Sequence, residues 1–154
     1  MPVSESFLKG LNMKLSEAIR AGAKLVPQAF GTYYHNGGTC ALGAACDAIE
    51  IEARDVDIAD HFPVVDYRME VCPFGCQEHR FSDSDFALPF RRAFLVIMHL
   101  NDFHKMSREG IAEWVETIEK KLEAAKDCSE CHGHEVVQKE SSLNVVDCPE
   151  CVRT

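Results

Sequence analysis

The sequence contains no apolar run long enough to cross a membrane, and basic residues are scarce in it. A membrane-spanning helix needs about 20 mainly apolar residues, and the 154 residues contain no such run. Sixteen lysines and arginines stand against 25 aspartates and glutamates, a formal net charge of −9. Because nucleic-acid binders need a basic surface to neutralise phosphates, we expect neither a membrane protein nor a general nucleic-acid binder.

The first ten residues lack a basic segment followed by an apolar one, so we expect no secretory signal and a cytoplasmic location. The composition, 46% apolar and 27% charged, is typical of a globular domain. What the chain has in unusual number is cysteine, with eight. Since structural disulfides are rare in the reducing cytosol, closely spaced cysteines there indicate metal or redox sites.

The apolar pattern predicts a mainly α fold with a small β part. Helical spacing predicts helices over residues 13–29, 40–49 with Thr39 as N-cap, and 108–126 with Ser107 as N-cap. A further helix is expected to begin close to Leu88, because Pro89 is tolerated only in a first turn.

The β part is expected between two of these helices. Alternating apolar residues over 64–71 predict a strand, CPFGC predicts a tight turn, and QEHRF predicts a return strand. We therefore divide the chain into a compact helical domain, residues 1–126, with this β/CPFGC insertion at about 62–83. Residues 127–154 are expected to form a C-terminal hairpin resembling a zinc ribbon.

Two CxxC pairs in the tail give the most specific signal in the chain: Cys128, Cys131, Cys148 and Cys151. Two such turns, separated by a hairpin with valines on its arms, supply the four thiolates that a tetrahedral Zn²⁺ takes. So short a segment has almost no core, and the metal would supply its folding energy. Iron is the less favoured ion, and reduced cysteines in a frayed tail are the alternative to any site.

A third pair, Cys72 and Cys76, lies in the predicted tight turn and resembles a zinc knuckle. It could bind a second ion with His79 and another ligand, or replace one tail pair. The other imidazoles considered as ligands are those of His61, His132 and His134. Half-buried thiols in a tight turn, or a dithiol redox switch, are the alternatives.

The cysteine at position 40 suggests a different class of function. A cysteine in the first turn of a helix can have a lowered pKa. Cys40 as nucleophile, with a histidine base and Asp102 as orienting acid, would form a thiol hydrolase; the candidate bases are His35, His99 and His104. The alternative is that CALGAAC is a small-residue packing helix with buried thiols.

Charge separates the two kinds of binding partner that a zinc ribbon could have. The tail carries only two basic residues, Lys139 and Arg153, against six acidic ones, and Arg91 with Arg92 makes the one local basic pair considered. Phosphate would be repelled. A nucleic-acid-binding zinc ribbon is therefore less favoured than an adaptor or regulatory protein that holds structural zinc and binds a protein partner.

Two stretches, TCALGAACDAIEIE at 39–52 and LNDFHKMSREGIAEWVETIE at 100–119, carry a resemblance. They resemble a group of small, uncharacterised bacterial and phage proteins that have a CALGA-type helix and an LND segment followed by a Ser-capped helix. The resemblance covers about residues 13–53 and 90–122 and implies a mostly helical, cytoplasmic protein. It implies no activity, and it includes neither CPFGC nor the tail.

Overall fold

The computed structural model describes residues 13–53, 55–66, 68–70, 72–76, 90–126, 136–138 and 145–147. Within these ranges the chain is mainly helical with a small β part, which confirms the predicted fold class. The chain divides into two compact units, Met1–Val115 and Glu116–Thr154, with the division inside the longest helix. The predicted boundary at residues 126 and 127 stays a prediction.

The described helices are α1 (Leu15–Gly22), α2 (Ala41–Ala48), α3 (Asp55–His61), α4 (Ala93–Asp102) and α5 (Arg108–Lys126), with a 3₁₀ turn at Pro63–Asp66. Three antiparallel strand pairs accompany them: β1 (Tyr34–His35) with β2 (Gly38–Thr39), β3 (Arg68–Glu70) with β4 (Phe90–Arg92), and β5 (Val136–Gln138) with β6 (Val145–Asp147). No described helix is long and apolar enough to cross a membrane.

Helices α1 and α2 pack closely because a glycine allows it. A Cβ atom on Gly22 would lie 1.7 Å from the carbonyl oxygen of Ala44, so only glycine permits this approach. Helix α1 ends at Gly22, and the expected continuation to residue 29 is wrong. Leu25, assigned to the buried face of that longer helix, is 63% exposed.

Helix α2 begins one residue later than expected. Its N-cap is Cys40 and not Thr39, because the Cys40 sulfur accepts a hydrogen bond from the backbone N–H of Gly43 at 3.4 Å. Thr39 instead ends strand β2, and its backbone N–H donates to the carbonyl of Pro27. The small residues Ala41, Gly43, Ala44 and Ala45 are buried, as the packing interpretation of CALGAAC predicts.

The segment before α4 is extended. Residues Phe90–Arg92 pair with Arg68–Glu70 in register Arg68↔Arg92, so the helix starts at Ala93 rather than near Leu88. The predicted strand over 64–71 shortens to β3, because Pro63–Asp66 forms a 3₁₀ turn. The expected return strand at 77–81 lies outside the described residues.

Helix α5 begins as predicted. The Ser107 hydroxyl accepts a hydrogen bond from the backbone N–H of Gly110 at 3.1 Å, which is the N-cap arrangement. The predicted apolar face is buried at Ile111, Val115, Ile118 and Ala125, whereas Trp114 and Leu122 are only partly buried.

A buried polar network fixes the loop between α1 and α2. The Arg108 guanidinium, 7% exposed, donates to the Thr39 hydroxyl at 3.1 Å and to the carbonyls of Ala23 and Val26. The Asn101 amide donates to the Ala29 carbonyl at 3.0 Å. Because buried polar groups must be hydrogen-bonded, these contacts hold residues 23–39 in one position beside α4.

In the second unit, β5 and β6 form the hairpin that the tail sequence predicts. Val136 pairs with Asp147 and Gln138 with Val145, so the predicted arms are confirmed. In the last part of α5, Lys120 forms an exposed i,i+4 ion pair with Glu116 at 2.7 Å.

Candidate metal centre

The CPFGC segment forms a tight turn that presents two thiols. The backbone N–H of Gly75 donates to the Cys72 carbonyl at 2.8 Å, and Gly75 has a positive φ of 69°. Proline at the second position and glycine at the fourth favour such a turn. Backbone N–H groups of Phe74 and Cys76 also donate to the Cys72 sulfur. These bonds would stabilise a thiolate at that position.

The end of α4 supplies two imidazoles. His99 lies in the last turn of α4, and His104 follows two residues after the helix ends. The backbone N–H groups of Phe103 and His104 both donate to the His99 carbonyl, at 2.9 and 3.3 Å. The backbone therefore continues to turn for two residues after Asp102. The imidazole rings of His99 and His104 meet edge to face, with centroids 4.7 Å apart.

These two segments converge on one point. The Nε2 atom of His104 lies 3.3 Å from the sulfur of Cys72 and 3.3 Å from the sulfur of Cys76. The candidate ligand atoms of Cys72, Cys76, His99 and His104 all lie within 4.8 Å of one another. Cys72 and His99 are buried, whereas Cys76 and His104 are partly exposed. The cluster is therefore compact and reachable from solvent on one side.

Two phenylalanines border the cluster on that side. The Phe74 ring stacks on His104 with centroids 4.4 Å apart, and the Phe103 ring stacks on His99 at 5.0 Å. Both side chains are otherwise largely exposed, Phe74 by 59% and Phe103 by 71%. The ring contacts fix the orientation of both imidazoles.

Burial raises the pKa of the Cys72 thiol, and the neighbouring Cys76 thiol raises it further. The backbone N–H groups of Phe74 and Cys76 act in the opposite direction. Without a cation this thiol therefore stays protonated at neutral pH, and none of the four described cysteines forms a disulfide bond. A metal that binds here has to displace protons.

The structure brings together part of the predicted second site and adds two residues that the sequence interpretation did not assign to it. Cys72 and Cys76 lie in the cluster, whereas His79 lies outside the described residues. His99 and His104 were considered only as bases for Cys40. Their signal was present, because C-x₃-C followed by H-x₄-H falls within the ligand spacings of Cys₂His₂ zinc sites. His61 lies at the exposed end of α3.

The predicted tail site, Cys128, Cys131, Cys148 and Cys151, lies outside the described residues, as do His132 and His134. Between its two CxxC pairs, the two paired strands β5 and β6 are described. Because Val136 pairs with Asp147, the chain enters and leaves the hairpin at the same end. That is the backbone arrangement which a site built from both pairs requires.

Cys40 has surroundings unlike those that activate a nucleophile. The side chain is buried, and burial raises the pKa of the Cys40 thiol, with a smaller contribution from the Asp102 carboxylate. Activated thiols need a lowered pKa. Of the proposed bases, His99 and His104 lie in the candidate metal cluster, and the Nε2 atom of His35 lies 2.9 Å from the Asn36 amide.

No family model, curated protein or solved structure matched this chain.

Proposed function

We propose that the protein binds Zn²⁺ through Cys72, Cys76, His99 and His104, and that this ion has a structural role. The observation that carries the proposal is the convergence of the four ligand atoms within 4.8 Å. Tetrahedral zinc, with bonds of about 2.0–2.3 Å, separates its ligand atoms by roughly 3.4–3.8 Å. The two sulfur-to-nitrogen distances of 3.3 Å are close to that range, so small side-chain rotations would complete the coordination shell.

The ligand types favour zinc over other ions. Mg²⁺ and Ca²⁺ take oxygen ligands, and this cluster offers two sulfurs and two nitrogens. Tetrahedral S₂N₂ sets are typical of zinc, with iron as the less favoured alternative.

Four protein ligands favour a structural role over a catalytic one. A catalytic zinc keeps one coordination position for water or substrate, whereas a structural zinc is closed by four side chains. The ion would join the CPFGC turn to the end of α4, two segments separated by more than twenty residues in sequence. Because the turn at 72–76 contains few buried apolar side chains, binding energy would contribute directly to holding it in place.

We also propose a second zinc ion in the tail, bound by Cys128, Cys131, Cys148 and Cys151. The antiparallel pairing of β5 with β6 supports this proposal, because Val136 lies opposite Asp147 and the two CxxC pairs are joined to these two ends in the sequence. The CxxC spacing on both sides supplies four thiolates.

For the biological role we propose an adaptor or regulatory protein of the cytoplasm that binds another protein. The exposed rings of Phe74 and Phe103 beside the zinc cluster support this proposal, since exposed aromatic side chains are typical of protein interfaces. The net charge of −9 disfavours nucleic acid as the partner. The resemblance to small bacterial and phage helical proteins remains a hypothesis and adds no activity.

The test is the zinc content of the full chain, purified under reducing conditions and measured by elemental analysis. We expect two equivalents in the wild type, and one in each of two variants, His104→Ala and Cys128→Ser. Cobalt substitution then distinguishes the sites, because the thiolate-to-cobalt absorption grows with the number of thiolates. Cys128→Ser should retain the weaker spectrum of an S₂N₂ site, and His104→Ala the stronger spectrum of an S₄ site.

A matched control is His61→Ala, which removes an exposed imidazole at the end of α3 and should retain both ions. If His104→Ala and His99→Ala both keep two equivalents, the Cys₂His₂ assignment is wrong and His79 becomes the candidate ligand. If Cys128→Ser keeps two equivalents, the tail assignment is wrong.

A further inference from the structure

A cavity of about 420 Å³ lies between α2, α4 and the loop at residues 31–34. Its volume is in the range of small-molecule pockets, about 300–1,000 Å³. Most of the lining is apolar, and it includes Tyr33, Tyr34, Cys40, Ala53 and Asp102. None of the four residues of the candidate metal cluster is among the described residues that line this cavity.

Asp102 places a fixed carboxylate at this cavity. Its Oδ1 atom accepts hydrogen bonds from the backbone N–H of Gly31 at 2.7 Å and from the Asn101 amide at 2.6 Å. Asn101 is itself held by the Ala29 carbonyl and by Gln28, whose amide donates to its Oδ1 atom at 2.9 Å. The carboxylate is therefore oriented before any ligand arrives, which lowers the entropic cost of binding.

The charge of the residues that line the cavity favours a positively charged ligand. Asp102 is the one acidic residue in it, and no lysine, arginine or histidine lines the cavity within the described residues. Asp102 also ends α4, where the carbonyl groups of a helix favour a positive charge. The ring faces of Tyr33 and Tyr34 are of the kind that attract organic cations.

The first turn of α2 would instead favour an anionic ligand, but two of its backbone N–H groups already have a hydrogen-bond acceptor. The backbone N–H groups of Leu42 and Gly43 donate to the Cys40 sulfur. Cys40 therefore shields these donors from the cavity. Among the described residues that line the cavity, none is a cation that would offset the repulsion between an anionic ligand and the Asp102 carboxylate.

From these observations we propose that the cavity binds a small organic cation. Its ammonium group would contact the Asp102 carboxylate, and an apolar body, aliphatic or aromatic, would occupy the space beside Tyr33, Tyr34 and Ala53. This binding function is separate from the proposed zinc sites.

The test uses three probes with the same apolar body: 3-phenylpropylamine, 3-phenylpropan-1-ol and 4-phenylbutanoate. Each is titrated into the full-length, zinc-loaded protein, with binding measured by NMR chemical shifts. The amine should bind saturably, with shifts concentrated at residues 31–34, 40–42 and 97–102. The alcohol can also donate a hydrogen bond to the Asp102 carboxylate but carries no positive charge. Without the ion pair it should bind at least about tenfold more weakly than the amine, and the negatively charged 4-phenylbutanoate more weakly still.

Two variants test the two parts of the site, and a third is their control. Asp102→Asn should weaken amine binding at least about tenfold and remove the preference over the alcohol. Ala53→Phe fills the cavity without altering the Asp102 hydrogen bonds and should abolish binding of all three probes. Asp60→Asn removes one exposed negative charge that does not line the cavity, and it should bind the amine like the wild type.

Equal affinity for the amine and the alcohol would overturn the proposal, because the cavity would then recognise apolar bulk alone. Unchanged amine binding in folded Ala53→Phe would overturn it too, since the amine would then bind elsewhere. If Asp102→Asn fails to fold, Ala53→Phe and the comparison of the three probes still decide.

Discussion

The first unit contains two cysteine pairs whose surroundings differ sharply. Cys72 and Cys76 lie in a turn, and their sulfurs meet the imidazoles of His99 and His104. Cys40 and Cys46 lie at the start and inside of α2, among alanines, leucine and glycine. Three of these four thiols are buried, so burial alone does not distinguish a metal ligand from a packing residue. Backbone N–H groups do not distinguish them either, because such groups donate to the sulfurs of both Cys72 and Cys40. The two imidazoles beside Cys72 and Cys76 make the distinction.

The most direct test of the difference between the two pairs replaces one cysteine of each pair with serine. Cys76→Ser should lose the zinc ion of the first unit, because a serine hydroxyl is a poor zinc ligand. Cys46→Ser should retain all zinc, and it should cost about 1–3 kcal/mol of unfolding free energy because it buries a hydroxyl among apolar side chains. Zinc content and denaturant unfolding of both variants measure these effects. Equal zinc content in both folded variants would contradict the assignment of Cys76 as a metal ligand and Cys46 as a packing residue.

The packing role of α2 predicts a large effect at a residue that contains no sulfur. Gly22→Ala places a methyl group where Ala44 already lies, and α1 and α2 would have to separate. Overpacking of this kind costs about 1–3 kcal/mol and at times more, and we expect the upper end of that range. Chemical denaturation measures the loss.

Gly110→Ala is the matched control for this substitution. Its new methyl group would meet the flexible end of the Met106 side chain at 3.0 Å, which can move, and alanine favours the helix by about 1 kcal/mol. We expect unchanged or increased stability. A loss as large as that of Gly22→Ala would show that the close approach of α1 and α2 is not the cause.

The alkylation rate of Cys40 tests whether this thiol is a buried packing residue. Burial raises its pKa, so alkylation at pH 7 should be slow in the folded protein, and its rate should rise only at a pH above that of an ordinary thiol. If labelling needs a local opening of about 3 kcal/mol, it will be on the order of a hundredfold slower than in the unfolded chain. Peptide mapping after timed alkylation measures this rate. Rapid labelling at neutral pH would support the thiol-hydrolase hypothesis.

The smallest effect concerns the phenol beside α2. Burial and the Asp47 carboxylate raise the pKa of Tyr34 to about 12, and its hydroxyl donates to Asp47 at 3.1 Å. Asp47→Asn should lower this pKa only part of the way toward the usual value of about 10, because burial is the largest cause. Ultraviolet absorbance titration, with Tyr34→Phe to assign the signal, tests this expectation. A pKa near 10 in the wild type would contradict the contact between the phenol and the Asp47 carboxylate.

The helices with a strong amphipathic pattern could be predicted from the sequence because their signals are local. Ser107 and the apolar face after it define the start of α5 without reference to distant residues. Helix α1 was predicted too long, since its end depends on a contact between Gly22 and Ala44, which lie 22 positions apart. Strand β4 was assigned to a helix because its partner, β3, lies some twenty residues earlier.

The candidate metal centre divides in the same way. The sequence by itself determined that Cys72 and Cys76 share one turn, because proline, glycine and the spacing act within five residues. Only the tertiary structure decided which imidazoles meet them, since His99 and His104 come from the end of a helix more than twenty residues further on. Spacing can suggest such a pair of histidines, but packing of α4 against the rest of the core brings their nitrogens to the sulfurs. The same packing decided that Cys40 lies at a cavity with Asp102, a neighbour that no local pattern identifies.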